Sequence, residues 1–537
     1  MTMRPAGKSV VFFAGIGIAS IAMVCLVVFL VQRQGEQIRP RRTAGNGRET
    51  VLRSGGDLQA ALNAAKYGDT IILQAGGTYG GAFVLPYKGE GTGTDADYIT
   101  IRTSAIDRIA ADGDRIKPQV HSSAMPKILA TTGDPAMRAE QRAHHYKFIG
   151  VEFSLAPETR YVYNLIDIGT YPYTSLTQFP HHIIFDRCYV HSSGLSKARR
   201  GFALNGAETS VLNSHVSGFA GEGDETQAIG GWNGSGPFHI INNYLEAGAE
   251  VIMFGGGDPS VPGLVPSDIE IRRNYLYRPE EWAGKVSIKG SFELKNARRV
   301  IVDGNVIEST TPRVTAIALT VRNQGGKAPW STLEDIQISN NISRRSSGAV
   351  NLLGKDNLFP SAEAKNIKII NNLFLDVQVP GESSYFMQIS GGESVTVAHN
   401  TIQQLGNILS IYTQPVKNFV FRDNIVQYNL YGIVCYAPAQ GCGFPSCSCF
   451  AGVTMRGNII ADNANQSASN QLDTNFPPGN FFVRSYDQIG FVDLAGGDWR
   501  LKPTSKIRGR ATDKKDPGID FAEFEASGVN SAVTGTR

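Results

Sequence analysis

The chain has 537 residues, of which 18% are charged and 59 are glycine, and its formal net charge is +3. So small a net charge excludes the strongly basic surface of a nucleic-acid-binding protein, and we expect no nucleic-acid partner. Few charges and many glycines favour short strands joined by many turns. The length is too great for one ordinary core, but a solenoid grows by adding coils.

The N-terminus carries a predicted membrane span. After a short segment, 1–9, residues 10–31 are apolar except for Ser20, and these 22 residues are about the length that a spanning helix needs. No small-residue cleavage pattern follows, so we expect an uncleaved anchor. Residues 32–50 are polar and rich in arginine and glycine, which predicts a flexible tether. The arginines in this tether oppose an exported C-terminus under the positive-inside rule.

One short phrase repeats along the rest of the chain, as in 238–244 (FHIINNY), 269–275 (IEIRRNY) and 336–342 (IQISNNI). Aligned on its asparagine, it recurs in steps of 31, 31, 36, 31, 28, 24 and 34 residues at Asn243, Asn274, Asn305, Asn341, Asn372, Asn400, Asn424 and Asn458. Apolar residues stand three and five places before each asparagine, a period typical of strands with one buried face. We expect each asparagine to form a left-handed corner between two strands. Such repeats stack as coils, and we count about ten.

The repeat resembles the right-handed parallel β-helix of the pectin-lyase-like superfamily, over roughly residues 50–525. The resemblance implies one all-β domain over 51–525, with a disordered tail over 526–537. Residues 57–65 look like the amphipathic helix that caps the N-terminal end of such solenoids, and 498–503 look like the matching tail. Leucine-rich repeats and propellers fit less well, because their leucine frame and four strands per unit are missing.

A third strand in each coil is predicted to end at a glycine. The glycines are Gly206, Gly230, Gly255, Gly290, Gly325, Gly354 and Gly391. Because side chains alternate along a strand, the first, third and fifth residues before each glycine are expected to face solvent. Coils lie ~4.8 Å apart, so these polar side chains would share one groove. The outward set comprises Glu225, Gln227, Glu250, Lys285, Ser287, Lys289, Thr320, Arg322, Gln324, Asn351, Gln388 and Ser390.

Along this face, carboxylates in the earlier coils are followed by a lysine and then an arginine. This order of residue types suits β-elimination from a uronate polymer. Elimination needs a cation beside the sugar carboxylate and a base that removes the neighbouring proton. Carboxylates such as Glu225 and Glu250 are suitable calcium ligands. The arrangement is similar to that of β-helical lyases of alginate and dermatan-type polymers. That resemblance concerns only the order of the residue types and the face of the solenoid on which they lie. It implies Lys289 as base, Arg322 as its partner, and Glu225 and Glu250 as Ca²⁺ ligands.

Other interpretations of this face stay open. Glu250 and Lys289 could form a solvated ion pair without function, and the carboxylate would then raise the lysine pKa, against catalysis. Asp224, Glu225 and Glu250 could serve as the paired carboxylates of a glycoside hydrolase. The rod could also be a non-catalytic carbohydrate-binding or surface-structural protein.

Aromatic and polar side chains beside the groove are candidate sugar contacts. Tryptophan rings stack on the flat faces of pyranoses, although loop packing is the alternative for each of them. The predicted substrate-binding set is Trp232, Trp282, Trp330, Gln227, Lys285, Gln324, Asn351 and Gln388.

Cysteines and histidines complete the candidates. Cys435, Cys442, Cys447 and Cys449 share one loop, which predicts two disulfides in an oxidising compartment, with a zinc knuckle as the alternative. Cys188 is expected to be buried. The histidine pairs at 144–145 and 181–182 stand just before predicted strands and lack the i, i+4 spacing of a helical zinc site.

Together these observations predict a monomeric, membrane-anchored, extracytoplasmic β-helix that acts on an acidic polysaccharide. Export is favoured because β-helices of the family it resembles usually meet polymers outside the cell.

Overall fold

The structure is a computed structural model that describes residues 47–309, 314–378, 384–429, 431–436, 449–462 and 476–534. The predicted span 10–31 and most of the tether lie outside these ranges. Within them, no helix is long and apolar enough to cross a membrane.

Three long parallel sheets form a β-helix, and each full coil adds one strand to each sheet. Sheet 1 consists of Glu49–Leu52, Thr70–Leu73, Ile99–Thr103, His144–Ile149, His181–Asp186, Ala207–Leu212, Phe238–Ile241, Ser267–Arg272, Ala297–Asp303, Leu333–Ser339, Lys365–Ile370, Glu393–Ala398, Val416–Arg422 and Phe450–Arg456. Sheet 2 consists of Thr78–Gly80, Lys127–Ala130, Glu152–Leu155, Tyr189–His191, His215–Phe219, Tyr244–Ala247, Tyr275–Arg278, Val306–Ser309, Ile342–Ser346, Leu373–Val377, Thr401–Gln404, Ile425–Tyr428, Ile459–Asp462 and Phe481–Val483. Sheet 3 consists of Phe83–Leu85, Met137–Ala139, Val162–Ile168, Ala198–Leu204, Gln227–Gly231, Glu250–Phe254, Phe292–Leu294, Thr315–Thr320, Gly348–Leu353, Tyr385–Ser390, Asn407–Ile411 and Ile433–Cys435.

The predicted β-helix is therefore confirmed, but it has more coils than the ten expected. Sheet 1 alone has 14 strands in the described part of the chain. The additional coils lie mainly before residue 181, where the corner carries no asparagine and the repeated phrase is absent. The predicted apolar columns are in register: Phe238 pairs with Ile269, and Ile269 with Val300.

The asparagines lie inside the corners, and the left-handed residue is the one before each of them. Asn340 has a φ of 56° and Arg273 a φ of 53°. The expectation of a left-handed asparagine was therefore wrong by one position. The asparagine side chain instead points inward and forms a ladder: Asn341 Oδ1 accepts bonds of 2.9 Å from both the backbone N–H and Nδ2 of Asn305. Asn341 Nδ2 in turn donates to the Val302 carbonyl at 2.9 Å.

The N-terminal cap is as expected. Asp57 accepts a hydrogen bond from Ala60 N and starts a helix over Leu58–Ala64. Leu58 and Leu62 are buried in the main core, so this helix covers the first coils.

The C-terminal segment runs along the outside of sheet 2. It contains an antiparallel hairpin, Phe491–Asp493 with Asp498–Leu501, in which Trp499 packs against outward apolar residues of sheet 2. Residues 529–534 form a helix with Val529 fully buried, so the expectation of disorder over 526–537 was wrong for this part. The described helices are Leu58–Ala64, Pro118–His121, Phe521–Ala526 and Val529–Thr534, with short 3-10 turns at Asp95–Asp97, Ile106–Arg108, Ser122–Ala124, Leu176–Gln178, Glu280–Trp282 and Tyr486–Ile489.

A disulfide joins Cys435 to Cys449 and closes part of the predicted cysteine loop. Cys442 and Cys447 lie outside the described residues. Cys188 is buried, as predicted.

Candidate active site

Sheet 3 positions the candidate site, but two of its strands differ from the prediction. In one coil the strand is Phe292–Leu294, so Lys285 and Lys289 lie in the loop before it. Phe292 and Leu294 pair with the core residues Ile252 and Phe254, and this register buries both apolar side chains. In the next coil the strand ends at Thr320, and Arg322 and Gln324 follow it. The predicted strands ending at Gly290 and Gly325 were therefore wrong.

A bulge sets the direction of Glu250. The backbone N–H groups of Val251 and Ile252 both reach the Ser291 carbonyl, at 2.9 and 3.4 Å. Both side chains enter the core, so the usual alternation is interrupted. Glu250 consequently lies on the outer side of sheet 3, beneath its neighbours and with 0% of its surface exposed.

Three polar residues meet around this buried carboxyl. Lys289 Nζ forms an ion pair with Glu225 and lies 3.9 Å from Glu250 Oε1. Gln227 Nε2 donates to Glu250 Oε2 at 2.7 Å. The structure thus brings together four residues predicted for the site, although no observation tests their roles.

Glu293 and Lys295 extend this group onto the next strand. Glu293 Oε1 accepts from Thr320 Oγ1 at 2.8 Å, and Glu293 Oε2 lies 3.5 Å from Lys295 Nζ. Neither residue was predicted. We define the sheet-3 cluster as Glu225, Gln227, Glu250, Lys289, Glu293 and Lys295.

Several buried polar atoms near the cluster have no hydrogen-bond partner. They are Gln227 Oε1, Glu250 Oε1 and Ser291 Oγ, and beside them Arg200 Nε. Since most buried polar atoms in folded proteins are paired, orphaned atoms this close together point to a site built for a ligand. Amide, carboxylate and hydroxyl oxygens are the donors that calcium prefers, so the Gln227, Glu250 and Ser291 oxygens fit the predicted ion, whereas the nearby Arg200 guanidinium and Lys289 ammonium oppose a further cation.

The charges in the cluster perturb one another. Burial and the charge of Glu293 raise the pKa of Glu250. Partial burial acts to lower the pKa of Lys289, but the hydrogen bond from Lys289 to Glu225 and the charge of Glu250 outweigh it and raise this pKa. In this arrangement Lys289 is a protonated counter-ion, so it must lose its own proton as well as leave Glu225 before it can act as a base.

Arg322 lies beside the cluster but turns toward the following coil. Its backbone N–H donates to the Lys295 carbonyl at 2.9 Å, while its guanidinium contacts Asp356 Oδ1 at 3.2 Å and the Asn357 side chain. It lines a cavity of about 710 Å³ that Asn351 also lines. Gln388 pairs with Asn351 in the sheet.

The remaining predicted contacts are dispersed. Trp232 lies half-buried with the Arg200 guanidinium 5.0 Å from its ring centroid. Trp282 is only 9% exposed, which leaves little ring surface for a sugar. Trp330 donates from Nε1 to the Leu264 carbonyl at 2.8 Å, and Lys285 and Gln324 are exposed. Trp232 thus packs against Arg200, whose strand is paired with that of Gln227 in sheet 3.

No family model matches the sequence, and no curated protein matches it. Several solved structures are similar in fold. A Paenibacillus alginate lyase has 14% identity and a TM-score of 0.31, covering 73% of this chain and 97% of its own. A mannuronic-acid-specific family 6 lyase from human gut microbiota has 11% identity and a TM-score of 0.47, covering 81% and 91%. The catalytic domain of a family 87 α-1,3-glucanase has 11% identity and a TM-score of 0.48, covering 78% and 70%.

At these identities the similarity concerns fold alone. The three parallel sheets, the one-residue corners and the asparagine ladder are observed directly in this chain. By this architecture the chain is a parallel β-helix protein.

Proposed function

We propose that the chain acts on an acidic polysaccharide lying along sheet 3, and that it cleaves the polymer by β-elimination at the sheet-3 cluster. The observation that carries the proposal is the convergence of three carboxylates and two lysines around orphaned buried oxygen atoms. Cavities of about 600 and 710 Å³ along the same sheet provide room for sugar units on both sides.

Each residue has a role in this proposal. Glu225, Gln227 and Glu250 would hold calcium through oxygen atoms. A calcium ion bound there would neutralise the uronate carboxylate and so acidify the neighbouring carbon. Lys289, after leaving Glu225 and losing its own proton, would take the proton from that carbon; the C=C bond would form as the bond to the glycosidic oxygen breaks, and water would protonate that oxygen. Arg322 would provide a second positive charge toward the next sugar.

We further propose that the protein works as a monomer outside the cytoplasm, held by residues 10–31. The Cys435–Cys449 disulfide supports this location, because disulfides persist in oxidising compartments.

Hydrolysis is the second candidate. Glu250 and Glu293 lie on adjacent strands of sheet 3, and the charge of Glu293 helps to raise the pKa of Glu250. A carboxyl whose pKa is raised beside a second carboxylate is the arrangement that glycosidases use.

The test follows products formed by the full-length protein in detergent on alginate, pectate and a glycosaminoglycan. Elimination is expected to give ultraviolet absorbance from unsaturated uronates on one of these polymers, and a calcium chelator is expected to abolish it. New reducing ends without absorbance would favour hydrolysis. Retention of the protein on a polymer without product formation would indicate a non-catalytic carbohydrate-binding protein.

A further inference from the structure

Two consecutive histidines begin the sheet 1 strand in each of two adjacent coils. They are His144 and His145 in one strand and His181 and His182 in the next, and His144 is paired with His181 in the sheet register. We call this group the four-histidine cluster. It lies on sheet 1, whereas the sheet-3 cluster lies on a different sheet of the solenoid.

The backbone explains why neighbouring side chains meet. His145 and His182 have φ values of 55° and 51°, which interrupts the alternation that would otherwise send consecutive side chains to opposite faces. Asp268 and Asn366 take the same left-handed conformation near the start of their own sheet 1 strands. A left-handed residue at this position therefore recurs in several coils. At His145 and His182 it brings consecutive histidine side chains together.

The imidazoles of the cluster face one another through their Nδ1 atoms. These atoms are 2.6 Å apart in His144 and His145, and 2.7 Å apart in His181 and His182. Across the coils the rings stack, with centroids 4.6 Å apart for His144 and His181 and 4.4 Å apart for His145 and His182. Ligand atoms of His144, His145 and His181 all lie within 4.8 Å of one another.

These distances are near those of a metal site. Tetrahedral zinc with Zn–N bonds of about 2.0–2.1 Å places its nitrogen ligands about 3.3 Å apart. Side-chain movements that widen the 2.6 and 2.7 Å separations and narrow those across the coils would therefore complete the coordination.

Outer partners orient two of the rings. His144 Nε2 lies 2.8 Å from the Gly89 carbonyl, and His182 Nε2 lies 2.6 Å from Glu208 Oε2. The Glu208 carboxylate accepts a proton from His182 Nε2 and so directs the Nδ1 lone pair of His182 into the cluster, whereas His144 Nε2 also contacts the Tyr67 hydroxyl at 2.8 Å, a group that can donate to it. His144 and His145 are each only 2% exposed, so the cluster is largely shielded from solvent.

We propose that the four-histidine cluster binds one divalent transition-metal ion with a preference for imidazole, such as Zn²⁺. Imidazole suits zinc, copper and nickel, whereas calcium and magnesium prefer oxygen. The bound ion would tie two successive coils together, independently of any polysaccharide chemistry on sheet 3.

The test uses full-length protein in detergent, stripped of metal and then titrated with Zn²⁺ or Co²⁺. We expect one ion per chain, with visible absorption from Co²⁺ held by imidazole nitrogens. The double variant His145→Ala/His181→Ala is expected to bind at least ~10-fold more weakly. His239→Ala, a half-exposed histidine elsewhere on sheet 1, is the matched control and should bind like the wild type.

Two results would overturn the proposal. One is wild-type protein that takes up no ion and gives no imidazole-type Co²⁺ spectrum. The other is unchanged affinity in the double variant. Should that variant fold poorly, His182→Ala replaces it, because this side chain is 30% exposed and contributes less to packing.

Discussion

Replacing Glu250 with glutamine lowers kcat/KM on the acidic polymer by at least ~100-fold, the lower range for a group that moves or stabilises charge at the reacting centre. Glutamine keeps the shape of Glu250 and can still accept the bond from Gln227 Nε2. It removes the carboxylate, which both elimination with calcium and hydrolysis by paired carboxylates require. The measurement is the initial rate of product formation at several polymer concentrations.

The matched control is Glu270→Gln, the same change on sheet 1, where Glu270 lies 3.4 Å from His239 Nδ1. This variant should retain the wild-type rate. Lys289→Ala in the same assay separates the two reactions, because only elimination assigns a proton transfer to Lys289. A normal rate in Glu250→Gln would remove the sheet-3 cluster from the reaction.

Replacing Asn341 with alanine lowers the free energy of unfolding by about 3 kcal/mol, since each buried group left without its partner costs about 1–3 kcal/mol. Asn305 would lose the acceptor of both its backbone N–H and its Nδ2. The Val302 carbonyl would lose its donor. The measurement is the shift of the denaturant midpoint, followed by circular dichroism.

Gln337→Ala in the same coil is the control for this change. Gln337 is exposed on sheet 1, and its loss should alter the unfolding free energy by no more than about 0.5 kcal/mol. Equal effects of the two substitutions would show that the ladder adds nothing beyond ordinary amide contacts.

The fold could be predicted because the same sequence pattern recurs in most of the coils. Apolar columns with a period of two specify strands, and a recurring asparagine specifies stacked corners. The position of the left-handed residue could not be predicted as easily, because both residues of pairs such as Asn242 and Asn243 tolerate that conformation. Only the ladder bonds decide it, since they require the second asparagine to point inward.

The site was harder to predict, because its residues come from irregular parts of the coil. Lys289 precedes Gly290 and was assigned to a strand, whereas the strand begins only at Phe292. Glu293 was missed for this reason, although its place between two apolar residues indicated a strand.

The four-histidine cluster was missed for a different reason. The i, i+4 spacing identifies neighbouring metal ligands on a helix. In a solenoid, residues one coil apart are the neighbours. His144 and His181 occupy equivalent positions in successive coils, and aligning the coils would have revealed the pair.

The most direct test of the account is a crystal structure of the Lys289→Ala variant with an oligouronate bound. We expect the sugar chain to lie along sheet 3, with one carboxylate beside Glu225 and Glu250 and further units toward Trp232 and Arg322. An oligosaccharide bound to sheet 1 or to sheet 2, with the sheet-3 cluster untouched, would contradict the account.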